Sequence, residues 1–198
     1  MELLPTLLST SWASGINAYA TVALLGLLGR AGFGEVPDAL TEDPVIAGAA
    51  VMYAIEFVTD KIPYVDNTWD LIHTAVRPAI GSALGVEFAS IDGSSELAAG
   101  AGAGGLSLVS HGVKSGLRLA INTSPEPVSN IITSLLEDLA VAGVIALVID
   151  HPVLAATIAM TLLACGIVLV FLLAKLIRRA LRAWRRRREP PDPPNRGP

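Results

Sequence analysis

Ten ionisable residues recur at helical spacing inside otherwise apolar stretches: Glu56, Asp60, Asp70, His73, Arg77, His111, Lys114, Arg118, Glu137 and Asp138. Residues at i, i+3 or i+4 and i+7 share one face of a helix. Tyr53, Glu56 and Asp60 form one such stripe, and Asp66, Asp70, His73 and Arg77 a second. Ser107, His111, Lys114 and Arg118 form a third, with Asn122 just beyond; Asn130, Ser134 and Glu137 form a fourth, with Asp138 adjacent. Thr10, Ser14, Asn17 and Thr21 make a fifth stripe without charge. Of the eight charged groups within the apolar stretches, five are acids and three are bases. A carboxylate held away from water without a partner takes up a proton or binds a cation. The pattern therefore points to proton or cation handling, with Glu56 and Glu137 as the titrating or cation-binding groups. Arg77, Lys114 and Arg118 would balance charge or contact an anionic solute, and His73 and His111 would tune protonation. The competing reading is an internal ion-pair network that only fixes helix packing.

Other chemistries find no support. His73 and His111 share no ligand-like spacing, so no metal is assigned. Cys165 lies in a plain apolar run with no basic neighbour to activate it. No nucleophile–base motif is present, so neither an enzyme nor a cofactor is expected. Gly100, Gly102 and Gly105 match a dinucleotide fingerprint, but a loop precedes them and an apolar helix follows, where the fingerprint needs a strand.

The stripes must sit on helices buried from lipid. Of 198 residues 52% are hydrophobic and only 16% charged, against roughly 25% charged in a soluble domain. A spanning helix needs about 20 mostly apolar residues. Spans are expected near 11–29, 44–60, 68–86, 97–121, 128–149 and 153–174, giving an all-α polytopic membrane bundle of about six helices over residues 1–180. Asp66 or Asn67 would cap the third span and Pro78 would kink it. In the first span the early Ser and Thr residues allow a short interfacial helix or a break. The sixth carries no charged stripe and should be peripheral. A charge at the bilayer centre costs roughly 2.5–3.5 kcal/mol, which forces the stripes to face one another or a wet cavity. Three Gly-xxx-Gly pairs, Gly81/Gly85, Gly100/Gly104 and Gly112/Gly116, suit close helix packing, within the chain or in an oligomer.

Charge sets the orientation. Residues 1–174 hold five basic against sixteen acidic residues, and residues 175–198 nine against two. An arginine cluster directly after an apolar run marks cytoplasmic sequence. It does not call for nucleic acid, and it can bind anionic lipid. Six spans would then place both termini in the cytoplasm. The segment 181–198 reads as a basic then Pro-rich tail, with Pro190–Pro198 disordered. Glu2 and the lack of early Lys or Arg argue against a signal peptide.

Three segments carry a family resemblance: Ala13-Ser14-Gly15-Ile16-Asn17-Ala18-Tyr19; Glu56-Phe57-Val58-Thr59-Asp60-Lys61-Ile62-Pro63-Tyr64-Val65-Asp66 with Trp69-Asp70, His73 and Arg77-Pro78; and His111 with Lys114, Arg118, Asn122, Ser124-Pro125-Glu126-Pro127, Ser129-Asn130 and Glu137-Asp138. Together they resemble the bacterial membrane family named domain of unknown function 4126 (DUF4126). The resemblance covers nearly the whole chain up to the arginine-rich tail. It implies a multi-pass protein of the bacterial cytoplasmic membrane and adds no mechanism.

Overall fold

The computed structural model describes residues 2–62, 64–122 and 127–188. Among them the chain forms eight helices and no strand: α1 (Leu3–Ile16), α2 (Ala18–Arg30), α3 (Asp38–Thr41), α4 (Asp43–Thr59), α5 (Val65–Asp92), α6 (Glu96–Ile121), α7 (Pro127–Asp150) and α8 (Pro152–Arg188). Local chemistry sets several boundaries. Pro44 occupies the first turn of α4, where its missing N–H costs nothing. Gly93, at φ 73°, ends α5 in the left-handed region, and the Ser95 hydroxyl accepts the Ala98 N–H to start α6. By length and apolar composition, Val128–Asp150 and Pro152–Arg182 qualify as membrane-crossing helices.

The expected first span near 11–29 is instead two helices. The break falls at Asn17, which adopts an extended backbone (φ −147°, ψ 96°), and its Oδ1 accepts the Ala20 N–H at 2.9 Å. A side chain that satisfies a backbone donor in this way starts a new helix. At 14 and 13 residues, each half extends only about 20 Å, short of a bilayer core of about 30 Å.

The halves double back. Glu2, before α1, and Gly34 and Glu35, after α2, line one cavity together with Phe88, Ile149 and Pro152. The start of α1 therefore shares one end of the bundle with the ends of α2, α5 and α7 and the start of α8. At the opposite end Asn122 holds Asp66, and Asn130 holds the Asp60 carbonyl. So α1 and α2 form a hairpin whose tip, Asn17, lies inside the bundle. The start of α1 and the end of α8 consequently lie at opposite ends of the described bundle.

Other boundaries also move. The third expected span, 68–86, extends to Val65–Asp92, runs through Pro78 without interruption, and is preceded by Tyr64 at φ 71°. Asp66 is not its cap; it lies within the first turn and is fully buried. The last helix continues to Arg188, so Lys175, Arg178, Arg179 and Arg182 extend it. Pro63, the Ser124-Pro125-Glu126 turn and the Pro190–Pro198 end lie outside the described residues.

Close backbone contacts tie the centre together. Helices α5 and α6 are the most extensively packed pair. A Cβ on Gly81 would lie 2.6 Å from the Ser107 Cβ, and one on Gly85 2.6 Å from the Ala99 carbonyl. Of the six glycines in the three expected pairs, only Gly112 faces open space. Helix α1 is the central element, with Thr6 and Ser9 through Ile16 all buried. Its Gly15 lies against α6, where a Cβ would overlap the Ser107 carbonyl and approach the Ser110 Cβ to 2.6 Å. Gly15→Val is expected to destabilise the fold by about 1–3 kcal/mol through overpacking, read as a lower thermal midpoint in detergent.

Candidate functional site

The hairpin tip meets the charged stripes. Helix α1 ends at Ile16 with its last carbonyls lacking helical partners, and a helix C-terminus carries partial negative charge. Two cations meet it. Arg77 on α5 donates from Nη1 to the Gly15 carbonyl at 3.2 Å, and Lys114 on α6 donates from Nζ to the Ile16 carbonyl at 3.0 Å. The third cation, Arg118, sits one turn further along α6 and donates from Nη1 to the Asp60 carbonyl at the end of α4.

The acids complete the network. Glu56 Oε1 accepts from Arg77 at 2.6 Å and from Lys114 at 3.3 Å. Asp60 Oδ2 accepts from Lys114 at 2.7 Å and from Arg118 at 3.3 Å. Glu137 Oε2 on α7 accepts from Arg118 at 2.6 Å. Asp70 lies 3.3 Å from Arg77, and Asp66 lies 3.6 Å from Arg118 while Asn122 donates to both its oxygens. Asp138 accepts from the Asn17 Nδ2 at 3.1 Å, so Asn17 caps α2 with one atom and holds α7 with the other. Nearby, Lys61 donates to the Phe57 carbonyl and lies over the Phe57 ring. Its burial draws its pKa below the usual lysine value.

The histidines are fixed by their partners. Arg77 can only donate, so His111 Nδ1 must accept from it at 2.7 Å; the Asp70 carbonyl can only accept, so His111 Nε2 carries the proton. His111 is thereby the neutral Nε2–H tautomer. His73 Nδ1 donates to the Trp69 carbonyl at 2.7 Å, leaving Nε2 for the Tyr19 hydroxyl at 2.9 Å. Both rings act as hydrogen-bonded struts. Among the described residues no three of His, Cys, Asp and Glu are arranged to hold a metal ion.

Nine of the ten expected site residues meet in this cluster; His73 lies beside it, held by Tyr19 and the Trp69 carbonyl. Asp66 joins them, as do Asn17, Asn122, Asn130 and the α1 carbonyls. Three fully buried cations face six acids there, with the half-buried Lys61 near Asp60 and Asp138 as a fourth. Six carboxylate oxygens in it lack a hydrogen-bond donor among the described residues: Glu56 Oε2, Asp60 Oδ1, both of Asp70, Glu137 Oε1 and Asp138 Oδ2. Buried acceptors of this kind require a donor such as water, a proton or a ligand. Glu56 and Arg77 are both 0% exposed and in direct contact. Glu137 is different. Its side chain is 14% exposed and lines a cavity of about 220 Å³ between α1, α6, α7 and α8. Glu137 and Asp138 are thus the partly exposed carboxylates of the cluster, and Glu56 is enclosed.

The model of the family described as domain of unknown function (DUF4126) matches residues 4–172, and the chain belongs to that family. No curated protein and no solved structure matches it.

The enclosed pair predicts a mutant cycle. Arg77→Met leaves Asp70 without its cation and Glu56 with Lys114 alone, and is expected to cost about 3–5 kcal/mol. Replacing Glu56 by Met as well should recover part of that loss. Thermal unfolding of the two single variants and the double variant in detergent measures it; a loss in the double equal to the sum of the two single losses would show that the pair is not coupled.

Proposed function

We propose that this DUF4126 protein is a small channel or secondary transporter of the bacterial cytoplasmic membrane. It has five crossing helices, α4 to α8, and a re-entrant hairpin, α1–α2. It moves a proton, a cation or a small polar solute and catalyses no reaction. The supporting observation is the cluster at the hairpin tip, where six acids outnumber three fully buried cations and Lys61 and Glu137 borders a cavity. Broken helices that bring half-helix ends to a midplane site recur in secondary transporters. Here Arg77 and Lys114 occupy the carbonyl end, leaving Glu137 and Asp138 as the exchangeable groups. The membrane assignment is supported by the two long apolar helices and by outward apolar side chains such as Leu71, Leu97, Leu139 and Phe171, each more than two-thirds exposed. The basic extension of α8 would face the cytoplasm and contact anionic lipid, each charge contributing about 1 kcal/mol.

A structural role is the alternative, favoured by the dry Glu56–Arg77 contact. Flux in proteoliposomes separates the two. Glu137→Gln is expected to lower proton or cation flux at least about tenfold while the protein stays folded. Absence of flux in the wild-type protein across an ion and solute screen would favour the structural role.

The hairpin fixes an orientation test. With Cys165 replaced by Ser, single cysteines at Glu2 and Asp150 should both react with an impermeant thiol reagent from outside the cell. A cysteine at Arg182 should react only after the membrane is opened. Labelling of Glu2→Cys from the cytoplasmic side alone would refute the re-entrant arrangement.

A further inference from the structure

Helices α4 and α7 scarcely touch through their backbones. Polar side chains bridge the seam between them. Asn130 Nδ2 on α7 donates to the Asp60 carbonyl at 3.1 Å, and Lys61 Nζ, just past α4, donates to Ser134 Oγ at 3.3 Å. Ser134 is buried, and Asp138 stands one turn further along the same face of α7. A lysine that only ended α4 would be satisfied by a carbonyl of the helix's own last turn. Lys61 has that contact, to the Phe57 carbonyl at 2.8 Å, and still reaches across to α7.

The ammonium sits among neutral ligands. Besides the carbonyl and the hydroxyl, the centroid of the Phe57 ring lies 3.0 Å from Nζ, and the face of an aromatic ring attracts cations. Carbonyl oxygens and their like replace the water around a monovalent cation, whereas calcium and magnesium take carboxylates as direct ligands. No carboxylate oxygen is among the partners of this ammonium. The charges that act on it from further off are Asp138 and Asp60, which attract it, and Arg118 and Lys114, which repel it. Lys61 also differs from Arg77, Lys114 and Arg118 in being only half-buried, and its stem is a flexible four-carbon chain. It can leave the seam; the other three cations are enclosed.

We propose that the Lys61 ammonium is a tethered plug in a binding site for a small monovalent cation, formed at the α4–α7 seam by the Phe57 carbonyl and ring and the Ser134 hydroxyl. Asp138 and Asp60 supply the field that holds a cation there. While Lys61 stays in place, its tether keeps the site filled at a high effective concentration. A free cation enters when the side chain swings out. The proposal deepens the transport reading, because the seam leads to Asp138, and it is tested by binding, without flux.

The test uses the full chain in a neutral detergent, with thermal midpoints measured in ammonium, potassium, sodium and choline chloride at equal ionic strength. Lys61→Ala vacates the site and should lower the midpoint in choline, a cation too large to enter. Ammonium or potassium should recover about 2–4 °C of that loss, saturably, and the wild-type protein should have one midpoint in all four salts. Adding Ser134→Ala to Lys61→Ala should abolish the recovery. Lys61→Met, which keeps the stem over Phe57, carries the same comparison if the alanine variant does not fold. Equal midpoints of the Lys61 variant in all four salts would show that Lys61 only ends α4, and would overturn the proposal. Recovery that persists without the Ser134 hydroxyl, or a wild-type protein that responds as strongly as the variant, would place the cation elsewhere and do the same. Cation recovery with no flux in the wild-type protein would sustain this site and defeat the transport function; flux without recovery would do the reverse.

Discussion

Lys114 has three N–H bonds, and they reach two helix ends: the last carbonyl of α1, and Glu56 and Asp60 at the end of α4. An ammonium removed from water is tolerable only if its donors are satisfied and its charge is met. Lys114 achieves this by drawing the ends of α1 and α4 onto α6. Arg77 and Arg118 repeat the arrangement one turn to either side. The long side chains matter because α4 and α7 pack little against α6 through their backbones. Extended side chains, not close helix contacts, bridge the charged layer, whereas glycine and serine close the contacts of α1 and α5 with α6. The bundle thus has a tight half and an ionic half joined along α6.

The same constraint explains the broken helix. A continuous α1–α2 would satisfy its own carbonyls and leave Arg77 and Lys114 without two of their acceptors. The break exposes those carbonyls to the cations, and Asn17 then repairs the other side by capping α2 and holding Asp138. One residue serves three helices.

The charged stripes were legible in the sequence because a 3.6-residue period shows wherever polar groups interrupt an apolar run. The charged residues chosen on that basis reached the cluster, with His73 beside it. The reversal at Asn17 was not legible. Residues 3–29 contain no charge, so hydropathy sees one long apolar stretch and carries no sign of direction. The evidence for the turn lies in the backbone: carbonyls that no side-chain pattern records, and a single amide that caps. Asp66 was misjudged for a related reason. An acid just before an apolar run resembles a cap, and only the position of Asn122 on α6 marks it as part of the interior. The end of the last span was blurred because a basic helix continues the apolar one with no change in geometry.

The hairpin also bears on the order of assembly. Each of its arms is too short to cross a bilayer core of about 30 Å, and α1 carries buried hydroxyls and open carbonyls whose partners lie on α5 and α6. It is the first described element to be synthesised, yet it has no stable place in lipid until those later helices have been inserted. In the proposed membrane arrangement the hairpin would wait at the surface and dock last, so the centre of the bundle would be filled after its walls are up.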